Sequence, residues 1–202
     1  FEVSPESFRM VPGAPFAYWV SERVRSLFDR LPSLESDRYT AKVGLQTGDD
    51  FRFVRLFWES TKHDDRWVGF AKGGAYSAFY ADINLIINWS DHGKEIKASN
   101  GSVIRNSEFY FSPGLTWSLV TTLKLSVRIM PKNCITSVIG PGVFSKTSDW
   151  TDLFASLAIS NSKAFIYLVE MQLGLAAQGR KAYQVGTIAR TSFPLDLDIN
   201  KK

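Results

Sequence analysis

The stretch that most constrains the fold is residues 66–89, which reads RWVGFAKGGAYSAFYADINLIINW. Two apolar runs enclose a Lys-Gly-Gly motif at residues 72–74, and runs of this composition are typical of β-strands. Because glycine has no side chain and adopts positive φ angles at little cost, the motif predicts a bend where the backbone can approach another molecule. Three aromatic residues follow at once: Tyr76, Phe79 and Tyr80. The stretch predicts two strands and a loop, which suits either a polyanion with stackable bases or a hairpin whose aromatic residues are core.

Composition places the chain among ordinary globular proteins. It has 202 residues, of which 45% are hydrophobic and 22% charged, and this length suits one domain. The net charge of +4 weakly favours a polyanionic partner. We expect no membrane segment, because no apolar run reaches the roughly 18 residues that a spanning helix needs.

The single cysteine, Cys134, excludes an internal disulfide and fits a reducing cytoplasm, which is the localisation we expect. In its apolar run, Cys134 is expected to be a buried thiol. The chain does not begin with Met, and our hypothesis is that it is a fragment of a longer protein.

Periodicity in the first half of the chain predicts one helix and one strand. After Pro15, apolar residues at helical spacing predict an N-terminal helix: Phe16, Val20, Val24, Leu27 and Phe28. Residues 39–45 alternate between apolar and polar, which predicts a strand with one buried face. Residues 51–58 are compatible with a helical turn capped by Asp49 or Asp50, or with a strand.

In the second half, residues 125–130 and 134–139 predict a β pair. Residues 152–173 have helical periodicity, broken at Ser160-Asn161-Ser162, so we expect two helices with a cap at Ser160 or Asn161. Residues 183–193 predict a return to strand. The predicted fold class is α+β: a twisted, mostly antiparallel sheet assembly with an N-terminal helix and a C-terminal helical pair, in one domain over residues 1–202.

Motifs of catalysis are scarce. The two histidines, His63 and His92, do not stand at metal-ligand spacing from cysteines or carboxylates, and there is no nucleophile elbow, Walker loop or G-x-G-x-x-G motif. One alternative stays open, in which Asp82 with Glu95 and Lys97 forms the acidic centre of a Mg²⁺-dependent nuclease. Asp49 and Asp50 could bind a cation, although such a pair more often caps a helix.

Several segments together carry a family resemblance. They are residues 11–21, 44–50 (Gly-Leu-Gln-Thr-Gly-Asp-Asp) with Arg52-Phe53, Trp67, 72–74, Asn88-Trp89, 109–111, 113–118, 126–128, 140–141, 157–162 and 184–194. In this order, over nearly the whole chain, they resemble the region after the catalytic domain of bacterial adenine-specific DNA methyltransferases. These enzymes belong to restriction-modification and bacteriophage-exclusion (BREX, or phage-growth-limitation) systems.

The resemblance implies a target-recognition domain similar to the TaqI-like C-terminal specificity domain. In such enzymes another domain binds S-adenosylmethionine and carries an Asn-Pro-Pro-Tyr type motif for the flipped adenine. This chain has no Pro-Pro dipeptide and no glycine-rich cofactor motif, so we expect no catalytic residue, cofactor or metal in it. S-adenosylmethionine would belong to the parent enzyme, which could also be fused to a nuclease. The expected partners are double-stranded DNA and the methyltransferase domain of the same chain.

Candidate DNA-binding residues follow from the residue types that phosphates and base edges require. For phosphate or guanine contacts they are Arg52, Arg55, Lys72, Arg105 and Arg128. For stacking or base-edge contacts they are Tyr76, Thr116, Trp117 and Ser118, while Gly73 and Gly74 would let the backbone approach the duplex. A second alternative is a protein-interaction module, which would use the aromatic residues as a docking face without binding DNA itself.

Overall fold

Two four-stranded sheets form the frame of the fold in the computed structural model, which describes residues 4–60, 64–147, 149–174 and 179–194. The helices are α1 (Glu22–Arg25), α2 (Leu27–Arg30), α3 (Asp50–Phe53), α4 (Ser90–Ala98), α5 (Trp150–Ser160), α6 (Lys163–Leu173) and α7 (Val185–Arg190). The strands are β1 (Tyr39–Lys42), β2 (Val54–Leu56), β3 (Trp67–Ala71), β4 (Leu85–Asn88), β5 (Gly114–Trp117), β6 (Val120–Thr121), β7 (Val127–Met130), β8 (Cys134–Thr136), β9 (Gly142–Ser145) and β10 (Lys181–Ala182). Single 3₁₀ turns occur at Pro5–Met10, Phe57–Glu59 and Ser107–Phe109. This content is α+β, as predicted.

The first sheet has the strand order β1-β9-β5-β7, with every pair antiparallel. The helical pair α5 and α6 packs on it, and the break between the two helices is where the sequence predicted it. The cap of α6 is Ser162, whose Oγ accepts from the Phe165 N–H, rather than Ser160 or Asn161. Trp117 is the largest side chain fully buried in the core between sheet and helices.

The second sheet has the order β2-β4-β3-β8. The predicted strands of residues 66–89 are β3 and β4, which pair antiparallel, whereas β8 joins β3 in parallel. Residues 51–58 contain both of the structures left open, since α3 leads directly into β2. The core of this sheet is a separate group of buried residues: Leu45, Phe53, Phe70, Ile87, Ile96, Tyr110 and Ile135.

The predicted β pair of residues 125–130 and 134–139 is wrong. Both segments form strands, but β7 pairs with β5 in the first sheet and β8 with β3 in the second. Asn133, with a φ of +67°, lies in the turn where the chain crosses from one sheet to the other. Alternation indicates that a strand forms, but the choice of partner depends on contacts far away in the sequence.

Two further predictions need correction. The N-terminal helix begins at Glu22 instead of Pro15, and Phe16 is 79% exposed. The cause is Arg25, a buried guanidinium that donates to the main-chain oxygens of Ala17 and Val20 and stabilises a non-helical turn there. Within residues 183–193, Val185–Arg190 form α7 rather than a strand, and their backbone groups bond locally, as from the Ile188 N–H to the Gln184 oxygen. Within the described ranges, no helix is long and apolar enough to cross a bilayer.

Candidate nucleic-acid interface

Three segments that are far apart in the sequence meet beside the ends of β3 and β8. We call residues 44–50, 72–80 and 137–142 the loop cluster. Leu45 forms a parallel bridge with Ser137, and the Ser137 N–H donates to the Ala71 oxygen at 3.0 Å. Lys72 forms an ion pair with Asp50. The Gly-Leu-Gln-Thr-Gly-Asp-Asp and Lys-Gly-Gly motifs therefore belong to one place in the fold.

Close backbone packing explains two glycines of the cluster. A Cβ on Gly44 would overlap the carbonyl oxygen of Thr136, and one on Gly140 would overlap that of Ala71. Here glycine allows the loops to pack on each other rather than on a ligand. The sheet ends and the loops thus form one closely packed unit.

The Lys-Gly-Gly motif separates two clefts of about 370 and 330 Å³. Lys72 and Phe70 line both. Gly73 and Gly74 have φ angles of +78° and +135°, which side-chain-bearing residues seldom adopt. The predicted bend is confirmed, and its backbone lies at the surface between the two clefts.

Lys72 is a half-buried cation with a carboxylate partner. Asp50 contacts its ammonium and also accepts from the Thr47 hydroxyl. Burial lowers the pKa of Lys72. A DNA phosphate at Lys72 would therefore compete with Asp50.

The side chains of Arg128 and Ser118 hydrogen-bond to the backbone of residues 74 and 75 and so support this loop. Arg128 is only 4% exposed, and its Nη1 donates to the Ala75 oxygen at 3.1 Å. Its Nη2 donates to the Ser118 Oγ at 3.0 Å, and that hydroxyl donates to the Gly74 oxygen at 2.8 Å. Burial lowers the pKa of the Arg128 guanidinium. Both side chains are occupied by the protein's own backbone.

Thr116 and Trp117 lie in the core of the first sheet. The Thr116 hydroxyl donates to the Pro141 oxygen at 2.9 Å, and the Trp117 indole N–H donates to the Tyr183 oxygen at 2.8 Å. Trp117 is 0% exposed, so stacking on a base would require it to leave the core. In this structure Thr116 is bonded to the loop cluster and Trp117 to the core backbone at Tyr183, and neither faces a ligand.

The remaining candidates face solvent. Tyr76 is 49% exposed within the loop. Arg105 is exposed. It lies beside residues 44–50, because Val103, two residues before it, forms a bridge with Gln46. Arg52 is exposed, donates to Glu95 at 3.0 Å and lies over the ring of Phe53.

Arg55 is half-buried and donates to the main-chain oxygens of Phe51 and Val54. Its guanidinium is therefore committed in part to the turn that joins α3 to β2. Of the two arginines in residues 51–55, Arg55 is less accessible to solvent than Arg52.

Among the exposed aromatic residues that were not candidates, three lie within residues 51–58. Phe51 is 91% exposed, and Phe57 and Trp58 are 54% and 61% exposed with their rings edge to face. The Phe57 N–H donates to the oxygen of Asn84, a residue that lines the 330 Å³ cleft. The only available signal was the density of aromatic residues in 51–58, which did not reveal their exposure.

The structure does not assemble the nuclease centre. Asp82 precedes β4, whereas Glu95 and Lys97 lie in α4 beyond its other end. Each has its own neighbour: Asp82 accepts from the Tyr80 hydroxyl, Glu95 pairs with Arg52, and Lys97 lies over Trp89.

The other acidic residues that the structure describes form no metal centre either. Asp49 caps α3 by accepting from the Arg52 N–H, which confirms the helix-cap interpretation. Among the described residues, which do not include His63, no group of three or more His, Cys, Asp or Glu side chains could hold a metal ion.

Comparison with known proteins gives two matches. The chain is 31% identical over 169 residues to the adenine-specific methyltransferase BrxX of Escherichia coli O9:H4 (strain HS), covering 79% of the chain and 14% of that protein. It is 28% identical over 191 residues to the adenine-specific methyltransferase PglX of Lacticaseibacillus casei (strain Zhang), covering 85% of the chain and 16% of that protein. No protein-family model matches. The chain is thus similar to a segment of adenine-specific methyltransferases, and spans about a seventh of the length of these relatives.

Proposed function

We propose that this chain is the DNA-recognition domain of an adenine-specific DNA methyltransferase that acts in restriction-modification or phage defence in the cytoplasm. Its expected relatives are the TaqI-like specificity domains. The similarity to segments of two adenine-specific methyltransferases supports the parent activity. The domain would bind the duplex, while the rest of the parent enzyme would bind S-adenosylmethionine and transfer the methyl group.

The observation that carries this proposal is the loop cluster. Duplex recognition needs cations and backbone amides for phosphates, and polar or aromatic side chains for bases. The cluster brings the glycine bend, Lys72 and Tyr76 together, and the exposed Arg105 lies next to it. Loops that a sheet holds rigidly can present such groups in a fixed geometry.

Burial divides the candidate residues into two groups. Those proposed to contact DNA are Arg52, Arg105, Tyr76, Gly73 and Gly74, with Arg55 through its accessible part and Lys72 once a phosphate replaces Asp50. Those proposed to support the contacting loop are Arg128, Ser118, Thr116 and Trp117. The second group would affect binding only through the shape of the cluster.

Salt-dependent binding tests the proposal. The chain should bind a short duplex of mixed sequence with an affinity that falls as salt rises, because phosphate contacts release counterions. Arg105→Gln should weaken binding to every sequence and reduce the salt slope by about one unit. The matched control is Arg30→Gln, which removes the same charge from exposed α2. Absence of duplex binding, or equal effects of the two variants, would contradict the proposal.

One observation favours the interaction module as a second candidate. A groove of about 460 Å³ lies between α2 and the α5–α6 junction, with mostly apolar walls that include Leu31, Ile159 and Phe165. The occupant would be the rest of the parent methyltransferase, since the chain matches only about a seventh of its relatives. In that case Leu31→Glu should abolish binding to the separately produced remainder of the enzyme, and the chain alone should not bind DNA.

A further inference from the structure

Arg128 and its two neighbours in β7 hold both ends of the arc formed by residues 75–79. The side chain of Arg128 donates to the Ala75 oxygen at one end. At the other end, Phe79 forms an isolated parallel bridge with Arg128: the Phe79 N–H donates to the Val127 oxygen, and the Ile129 N–H donates to the Phe79 oxygen, both at 2.9 Å. The Arg128 guanidinium therefore holds the arc at Ala75, and the main chain of β7 on either side of Arg128 holds it at Phe79.

We propose that Arg128 is a positioning residue, which fixes the arc so that Tyr76 faces the DNA in one orientation. That the arc contacts DNA rests on the proposed function above; that Arg128 controls its conformation does not. This role differs from the phosphate or guanine contact that the sequence predicted for the same arginine.

Geometry explains why an arginine is required. The planar guanidinium reaches two acceptors at once, the Ala75 oxygen directly and the Gly74 oxygen through the Ser118 hydroxyl. A lysine ammonium in the same place is a point charge and does not reproduce this fork. Hydrogen bonds from a charged donor are also stronger than neutral ones, especially when buried.

Burial makes a direct phosphate contact unfavourable. Arg128 is 4% exposed, and its Nε has no hydrogen-bond partner among the described residues. The bonds that its guanidinium makes here go to main-chain and hydroxyl oxygens of the loop and of β5's end. A phosphate could reach the guanidinium only by entering the 330 Å³ cleft, which Arg128 lines in part.

Limited proteolysis without DNA tests the positioning role. In Arg128→Met, chymotrypsin should cleave after Tyr76 about tenfold faster or more than in the wild type, because the arc opens more often when its side-chain bonds are lost. The matched control is Arg25→Met, which removes another arginine that is 4% exposed, bonded to backbone oxygens and distant in the fold. Cleavage after Tyr76, identified by mass spectrometry, should be unchanged in that control.

Ser118→Ala provides a milder second variant. It removes the hydroxyl that connects Arg128 to Gly74 and leaves the bond to Ala75 in place. Cleavage after Tyr76 should accelerate by less than in Arg128→Met. If cleavage is unchanged in both variants, or accelerates equally in Arg25→Met, Arg128 does not position the arc.

Duplex binding distinguishes positioning from direct contact. Arg128→Met should weaken binding to a mixed-sequence duplex without changing the salt slope. A slope reduced by about one unit, with normal cleavage, would instead identify a phosphate contact and overturn the inference. If the chain binds no duplex at all, the proposed function fails, while the proteolysis result still decides the role of Arg128.

Discussion

At the scale of single residues, three cations of the candidate interface differ in their surroundings. Arg128 is buried against backbone oxygens, Lys72 is half-buried against Asp50, and Arg105 is exposed. In the sequence all three are basic residues near turns or strand ends. Residue type predicted the kind of chemistry, but burial, which decides between contact and support, depends on packing that local patterns do not contain.

Asp50 should restrain DNA binding by neutralising Lys72. We predict that Asp50→Asn strengthens binding to a mixed-sequence duplex and increases the salt slope by about one unit, because the released ammonium can contact a phosphate. The control is Asp49→Asn, which changes the charge equally, leaves Lys72 untouched and retains a good helix-capping residue. Fluorescence anisotropy at several salt concentrations measures both quantities. An increase of the same size in both variants would show that only net charge matters.

At the scale of elements, periodicity identified β1, β3, β4 and the α5–α6 pair. It failed where the structure of a segment depends on which distant segment it pairs with. The strand of residues 125–130 was predicted correctly, but its partner is β5 rather than the next strand. Residues 183–193 were predicted to be a strand, yet Val185–Arg190 form α7, and the strand pairing next to it is limited to the two-residue β10 and the bridge between Ser192 and Ser33. The bend at residues 72–74 was predictable because glycine determines it locally.

The outer edge of β7, which Phe79 bridges at Arg128, should also depend on Asn161. Its amide donates to the Val127 oxygen at 2.8 Å and accepts from the Val127 N–H at 3.0 Å, as a neighbouring strand would. We predict that Asn161→Ala lowers the free energy of unfolding by about 1–3 kcal/mol, because it leaves the buried Val127 N–H unpaired. Exposed Asn100→Ala serves as the control and should stay within about 0.5 kcal/mol of the wild type. Urea denaturation measures both, and equal losses would refute this role.

At the scale of the whole molecule, the two sheets meet at a small apolar group formed by Ala71, Met130, Cys134 and Phe144. The motifs predicted which residues the loops of the cluster contain, but they did not predict that these loops lie next to each other. Residues 44–50 and 72–74 come together because β8 joins β3 in parallel and Leu45 bridges Ser137. Such pairings join segments that are far apart in the sequence, so local sequence patterns do not predict them.

Cys134 should report on the contact between the sheets. The thiol is 4% exposed, and burial raises its pKa to about 11. We predict that a thiol reagent at neutral pH labels the native chain at least about a hundredfold more slowly than the urea-unfolded chain, because reaction requires an accessible thiolate. Absorbance of the released thiol dye gives both rates. Rapid labelling of the native chain would mean that the sheets separate readily.

The antiparallel ladder between β1 and β9, and the bridge between Ser33 and Ser192, have a consequence for biosynthesis. Ser33 and β1 acquire these partners only after Ser192 and β9 have left the ribosome. At about 5–20 residues per second, the nascent polypeptide waits on the order of ten seconds with its tryptophans and phenylalanines uncovered. Trigger-type chaperones should therefore associate with this stretch of the nascent polypeptide before Ser192 has left the ribosome.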